Sequence, residues 1–92
     1  ISTAGSICGA AELLKKEGAK EIHIAASHGV LCGKAIQKLT ETAVDSVVIT
    51  NSIPLSTEKK IDKIHVLSIA PLLAEAIRRI HSNKSISQMF GD

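Results

Sequence analysis

An α/β fold with a mostly parallel sheet is what this 92-residue sequence predicts. Three observations carry it. Helical patterns alternate with short β-rich runs along the whole chain. The run Ser46–Thr50 is β-branched without interruption from Val47 onward, which suits a strand buried on both faces. The hydrophobic residues, 45% of the chain, are almost all aliphatic, with Phe90 the only aromatic.

The first helix places Ile7, Ala10, Ala11 and Leu14 on one face and Glu12, Lys15, Lys16 and Glu17 on the other. Gly18 then supplies its C-cap. Ile22–Ser27 is the first strand. A glycine-flanked loop, His28–Gly33, leads to a second helix from about Lys34 to Thr42, with Ile36, Leu39 and Ala43 on its apolar side. Asp45 opens the second strand, Ser46–Thr50. The polar stretch Asn51–Lys60 contains Pro54 and reads as a loop, and Ile64–Ser68 is the third strand. The third helix begins near Ala70-Pro71, where proline suits the first turn, and ends at Asn83. It turns Leu73, Ala76, Ile77 and Ile80 inward and pairs Glu75 with Arg79. No repeat, low-complexity stretch or linker divides the chain.

Composition excludes several classes. Eleven Lys and Arg against nine Asp and Glu leave a net charge of +2, too little for a phosphate-tracking surface. Without Trp or Tyr there is nothing to stack on bases, so nucleic acid is not an expected partner. No apolar run approaches the ~20 residues of a membrane span. Cys8 and Cys32 lack metal or redox spacing and read as reduced thiols of a cytosolic protein. The chain opens at Ile1 without methionine, and a domain truncated at its N-terminus is the expectation.

Chemistry concentrates at Ser2-Thr3-Ala4-Gly5-Ser6, directly before the first helix. Three hydroxyls, free backbone N–H groups and the positive end of the helix dipole suit an anion. Gly5 allows close approach of a phosphate, or a positive φ. The alternative is that Ser2, Thr3 or Ser6 simply caps the helix. Among the four histidines, His23 and His65 share one sheet face, and His28 follows a strand end, where open α/β sheets place ligands. His28 and Cys32 share a loop but are too few for a metal site. Lys59, Lys60 and Lys63 read as a solvated cluster. The tail Ser85–Phe90 either docks Phe90 into a groove or contacts an anion.

Taken together, Ile1–Ser6, Ser27-His28-Gly29-Val30-Leu31, Val47–Pro54, Leu72–Arg79 and Ser85–Phe90 resemble ribose-phosphate pyrophosphokinase across essentially the whole chain. The resemblance implies a C-terminal portion of such an enzyme, in the Rossmann-like, three-layer type I phosphoribosyltransferase fold. That family transfers the diphosphoryl group of ATP to ribose 5-phosphate with Mg²⁺, giving phosphoribosyl pyrophosphate and AMP. Carried over, Ser2, Thr3, Ala4, Gly5 and Ser6 hold the sugar 5-phosphate. The family usually has Asp where Ser2 stands and Thr where Ser6 stands; Ser6 keeps the hydroxyl, whereas Ser2 removes a carboxylate. Ser85, Ser87 and Phe90 correspond to an allosteric site for ADP or phosphate between subunits.

The resemblance places the ATP site and the Mg²⁺ ligands outside this stretch, so no catalytic or metal-binding residue is assigned within it. It further implies a cytoplasmic homo-oligomer, such as a hexamer. Alternatives are a non-catalytic regulatory subunit of the same family, a phosphoribosyltransferase that uses a base, and a non-enzymatic α/β binding module.

Overall fold

In the computed structural model, residues 1–91 are described. They form α1 (Gly5–Lys16), β1 (His23–Ala26), α2 (Ala35–Glu41), β2 (Ser46–Thr50), β3 (Ile64–Leu67) and α3 (Ala70–His81). Short 3-10 turns occupy Thr57–Lys59 and Ser87–Phe90. The three strands make one parallel sheet in the order β1-β2-β3.

Register decides which side chains share a face. Ile24 is opposite Val47 and Val47 opposite Ile64, while Ala26 is opposite Ile49 and Ile49 opposite Val66. Paired residues in a sheet point the same way. This face meets Ala4, Cys8 and Ala11 at α1 and Ala35 and Leu39 of α2, and Leu55 and Ile61 of the β2–β3 crossover join them. Full burial of Leu39, at 0% exposure, is worth about 2–3 kcal/mol.

The opposite face carries His23, Ala25, Val48, His65 and Leu67, and Leu67 is 59% exposed. The strand expected to be buried on both faces is therefore buried on one: Val47 and Ile49 are enclosed, while Val48 is half-exposed. The reason lies in the crossovers. Parallel neighbours need a connection of a dozen or so residues. The β2–β3 connection supplies its length with one 3-10 turn instead of an α-helix, and its apolar side chains join the core already covered. The described residues thus form two layers, not three.

Two helical expectations change as well. In α1 the buried stripe is Ala4, Cys8 and Ala11, whereas Ala10 and Leu14 are exposed. Small side chains at that contact let α1 lie close to the sheet, and the bulkier Ile7 and Leu14 instead line an open groove with Ile22 and Ile24. In α3 the side expected inward is uncovered: Leu73 is 52% exposed, Ile77 67% and Ile80 61%. α3 extends from the body, giving a radius of gyration of 16.4 Å where a compact chain of this length has about 12 Å.

The helix ends match the sequence. Gly18, at φ +101°, follows α1, with Ala19 N–H donating to Leu14 O (3.0 Å) and Gly18 N–H to Lys15 O (3.1 Å). Asn83, at φ 57°, closes α3 in the same way, with Lys84 N–H donating to Arg79 O at 2.7 Å.

Lys63 departs from the solvated cluster expected of it. Its ammonium donates to the carbonyls of Leu39 (2.7 Å), Thr40 (3.2 Å) and Thr42 (3.0 Å), closing the C-terminal end of α2. Lys59 donates to Val30 O at 3.3 Å. Among the described residues, no helix is long and apolar enough to cross a membrane.

Candidate phosphate-binding loop

The segment before α1 is held from one side by the loop that follows β1. Ile1 N donates to His28 O at 2.7 Å, and Ile1 O accepts from the N–H groups of Val30 (2.9 Å) and Leu31 (3.2 Å). Cys32 N–H donates to Ser2 O at 3.0 Å. Leu31 takes φ 52° to present these groups. The His28 ring bonds Ser52 Oγ through Nδ1 at 2.7 Å, and Thr50 Oγ1 donates to Ser27 O at 2.6 Å. The loop is therefore fastened to the C-terminal ends of β1 and β2, where open parallel sheets gather ligands.

Backbone shape then frees the donors. Ala4, the residue preceding α1, sits in the left-handed region at φ 68° and ψ 7°, and no side chain caps the helix. The positive φ expected of Gly5 falls one residue earlier. A non-glycine residue there costs of order 1 kcal/mol, and Ala4 is held in place by burial at 5% exposure. The first helical bond is made by Cys8 N–H to Ala4 O (2.9 Å), so the amides of Gly5, Ser6 and Ile7 precede it.

The hydroxyls expected as possible caps do not cap. Ser2 Oγ lies 3.2 Å from Cys32 Sγ, and among the described residues the Thr3 and Ser6 hydroxyls have no hydrogen-bond partner. No acidic residue occupies the first turn of α1. A concavity of about 200 Å³ is lined by Ile1–Ile7. Its donors are backbone amides and hydroxyls, which suits an anion of phosphate size. A larger cleft, about 390 Å³, lies beside Thr40, Ile61, Asp62 and Lys63, but there the lysine is already engaged by α2.

The remaining candidates separate. His23 bonds Ser46 Oγ (2.6 Å) and Glu21 (3.2 Å), a satisfied structural histidine on the same face as His65. His28 and Cys32 turn to different partners and form no pair. Ser85 and Ser87 bond each other through their hydroxyls (3.2 Å), and Arg79 holds the tail by donating to Ser85 O (3.1 Å) and Gln88 Oε1 (3.2 Å). Phe90 fills no groove, being 66% exposed. The tail shares no hydrogen bond with the Ser2–Ser6 loop among the described residues. Sequence reasoning gave no role to Leu31 or Ser52; neither carries a local pattern that announces one.

At the base of the tail, hydrogen bonds from Arg78 and then Arg79 hold the Glu75 carboxyl down at a pKa of about 2. A lowered pKa stabilises α3 above the ordinary value of 4.5, and the effect is lost as pH falls toward 2. An NMR titration of the Glu75 carboxyl is expected to give a midpoint near 2; a midpoint at 4.5 would show the pairs are not formed in solution.

A model of the phosphoribosyl synthetase-associated domain matches residues 1–91. The chain belongs to that family. Within the phosphoribosyl synthetase family, it is 60% identical over 90 residues to a ribose-phosphate pyrophosphokinase of Rhodopirellula baltica, covering 98% of this chain and 28% of the relative. A second ribose-phosphate pyrophosphokinase, from Caldanaerobacter subterraneus, is 57% identical over 90 residues, with the same shares. The crystal structure of phosphoribosylpyrophosphate synthetase from Mycobacterium smegmatis superposes with a TM-score of 0.87 at 47% identity, over 90% of this chain and 28% of that one.

The phosphoribosyl synthetase resemblance seen in the sequence therefore stands, together with a small α/β fold like that of a phosphoribosylpyrophosphate synthetase. The chain spans little more than a quarter of its relatives' length, at 28%. The C-terminal placement expected above does not stand: these matches fix the size of the shared stretch and assign it no C-terminal position.

Proposed function

We propose that this chain is the ribose 5-phosphate-binding segment of a ribose-phosphate pyrophosphokinase. The observation that carries the reading is the Ser2–Ser6 loop, whose amides, with the Thr3 and Ser6 hydroxyls, are left unused at the start of α1, where Ala4 takes the left-handed turn. The complete enzyme would transfer the diphosphoryl group of ATP to the anomeric hydroxyl of ribose 5-phosphate, forming phosphoribosyl pyrophosphate and releasing AMP. Such transfer depends on holding the acceptor in line and on neutralising charge. This segment contributes the holding: its amides and hydroxyls grip the 5-phosphate and orient the sugar.

The family's Mg²⁺ would neutralise the transferred phosphates. The described residues hold no group of three His, Cys, Asp or Glu suited to a metal. The type I phosphoribosyltransferase fold, a cytoplasmic homo-oligomer and an ADP- or phosphate-sensing tail at Ser85, Ser87 and Phe90 belong to the same proposal. Support for the fold comes from the open sheet face and the uncovered side of α3, which leave room for a third layer. Support for the tail comes from its ordered attachment to Arg79.

The test is Gly5→Val in the full-length enzyme. A Cβ at Gly5 meets Lys38 Nζ at 3.7 Å and Thr3 Oγ1 at 3.9 Å, ordinary contacts that the fold tolerates. Two further methyl groups on that Cβ would crowd an anion bound at the loop. We expect the KM for ribose 5-phosphate to rise by roughly ten- to a hundredfold, the loss of one or two charge-assisted hydrogen bonds. The KM for ATP should hold. An unchanged KM for ribose 5-phosphate would overturn the assignment.

A further inference from the structure

The loop is not the only group facing the space in front of Gly5. Lys38, in the last turn of α2, stands with its ammonium 3.7 Å from the position a Cβ of Gly5 would occupy, and Thr3 Oγ1 is 3.9 Å from the same point. A cation and a hydroxyl from different elements thus converge on one place at the start of α1. The Lys38 side chain is half-buried, and among the described residues its ammonium has no carboxylate partner and no hydrogen bond. The nearest acid along α2, Glu41, is bonded instead to Gln37 at 3.3 Å.

The electrostatics of this placement are unfavourable as they stand. The N-terminal end of a helix carries a partial positive charge, and α1 has no acidic residue in its first turn to offset it. A lysine in the last turn of α2 would ordinarily lie over that helix's own carbonyls. Here those carbonyls are taken by Lys63, which bonds Leu39 O, Thr40 O and Thr42 O. Lys38 is therefore turned toward another positive end, a juxtaposition that a bound anion relieves.

We infer that Lys38 is a phosphate-binding residue of this site, pairing its ammonium with the dianionic 5-phosphate held by the Ser2–Ser6 loop. The inference rests on the loop reading above and adds to it a charge that backbone amides do not supply. A lysine here acts as a mobile point charge, so it selects for a dianion over a neutral sugar without dictating a single geometry. Discrimination between ribose 5-phosphate and unphosphorylated ribose is the property it confers.

The experiment compares Lys38→Gln, Lys38→Arg and Gly5→Val in the full-length enzyme, with ribose 5-phosphate varied at saturating ATP. Lys38→Gln is expected to raise the KM for ribose 5-phosphate roughly tenfold with kcat retained, the size of one partly exposed charge-assisted contact. Its KM should also depend less steeply on salt than that of the parent enzyme. Lys38→Arg should restore most of the affinity. If Gly5→Val raises the KM and Lys38→Gln does not, Lys38 is overturned while the loop stands. If neither raises it, the loop reading falls and Lys38 falls with it. A Lys38→Gln defect shared by ATP and ribose 5-phosphate, or not rescued by arginine, reveals a structural lysine and likewise overturns the proposal.

Discussion

Replacing Gly29 by alanine is expected to destabilise the fold by about 1–3 kcal/mol, the usual cost of forcing a methyl group into a packed core. An ideal Cβ on Gly29 stands 2.5 Å from Ile49 Cδ1, 3.3 Å from Cγ2 and 3.5 Å from Cβ. Ile49 is 1% exposed at the C-terminal half of β2, so its terminal methyl would have to move within a close-packed interior. Either Ile49 leaves its rotamer or the His28–Val30 backbone shifts outward. That shift matters beyond stability, because the carbonyl of His28 and the N–H of Val30 both hold Ile1. Denaturant melts of Gly29→Ala, Ile49→Val and the double variant separate the causes. Ile49→Val removes Cδ1, so the double variant should be more stable than the sum of the singles by roughly 1 kcal/mol. Simple additivity would mean that the contact with Cδ1 is not the source of the cost.

Lys63→Met is expected to cost a comparable amount, about 2–3 kcal/mol, because one ammonium satisfies three carbonyls at the end of α2. Methionine keeps the length and apolar stem but leaves Leu39 O, Thr40 O and Thr42 O without that donor. α2 has only seven residues, so the loss falls on a helix with little cooperativity of its own. The change is expected to lower the Tm of the protein by several degrees. A shift below about 2 °C would show that water replaces the ammonium at little cost.

What the sequence disclosed and what it hid follow from range. The Ser2–Ser6 loop, Gly18 and Asn83 were legible because caps and helix starts are set by residues a few positions apart. The Glu75–Arg79 pair was legible for the same reason. The role of Lys63 was not, since the carbonyls it meets lie 21 to 24 residues earlier in the chain. The left-handed turn at Ala4 was hidden by the adjacent Gly5, which takes such a shape more readily. For α1 the helical period is visible in the sequence but not its rotation: the bulkier apolar residues form a stripe from Ile7 to Leu14, and the buried one runs Ala4, Cys8, Ala11. In α3 the amphipathic pattern is present, but periodicity names an apolar side without naming what covers it.

The parallel register has a kinetic side. His23 pairs with Ser46 and Val47 with Ile64, so each of these pairings must first close a loop of about twenty residues, and among the described residues no hairpin starts the sheet. β2 belongs to both pairings and must receive β1 and β3 through separate crossovers. Non-local closure of this kind slows folding and prolongs the time during which strand edges stand open. Val66 and Leu67, already exposed on the β3 edge, are the residues through which a half-assembled chain would adhere to its neighbours.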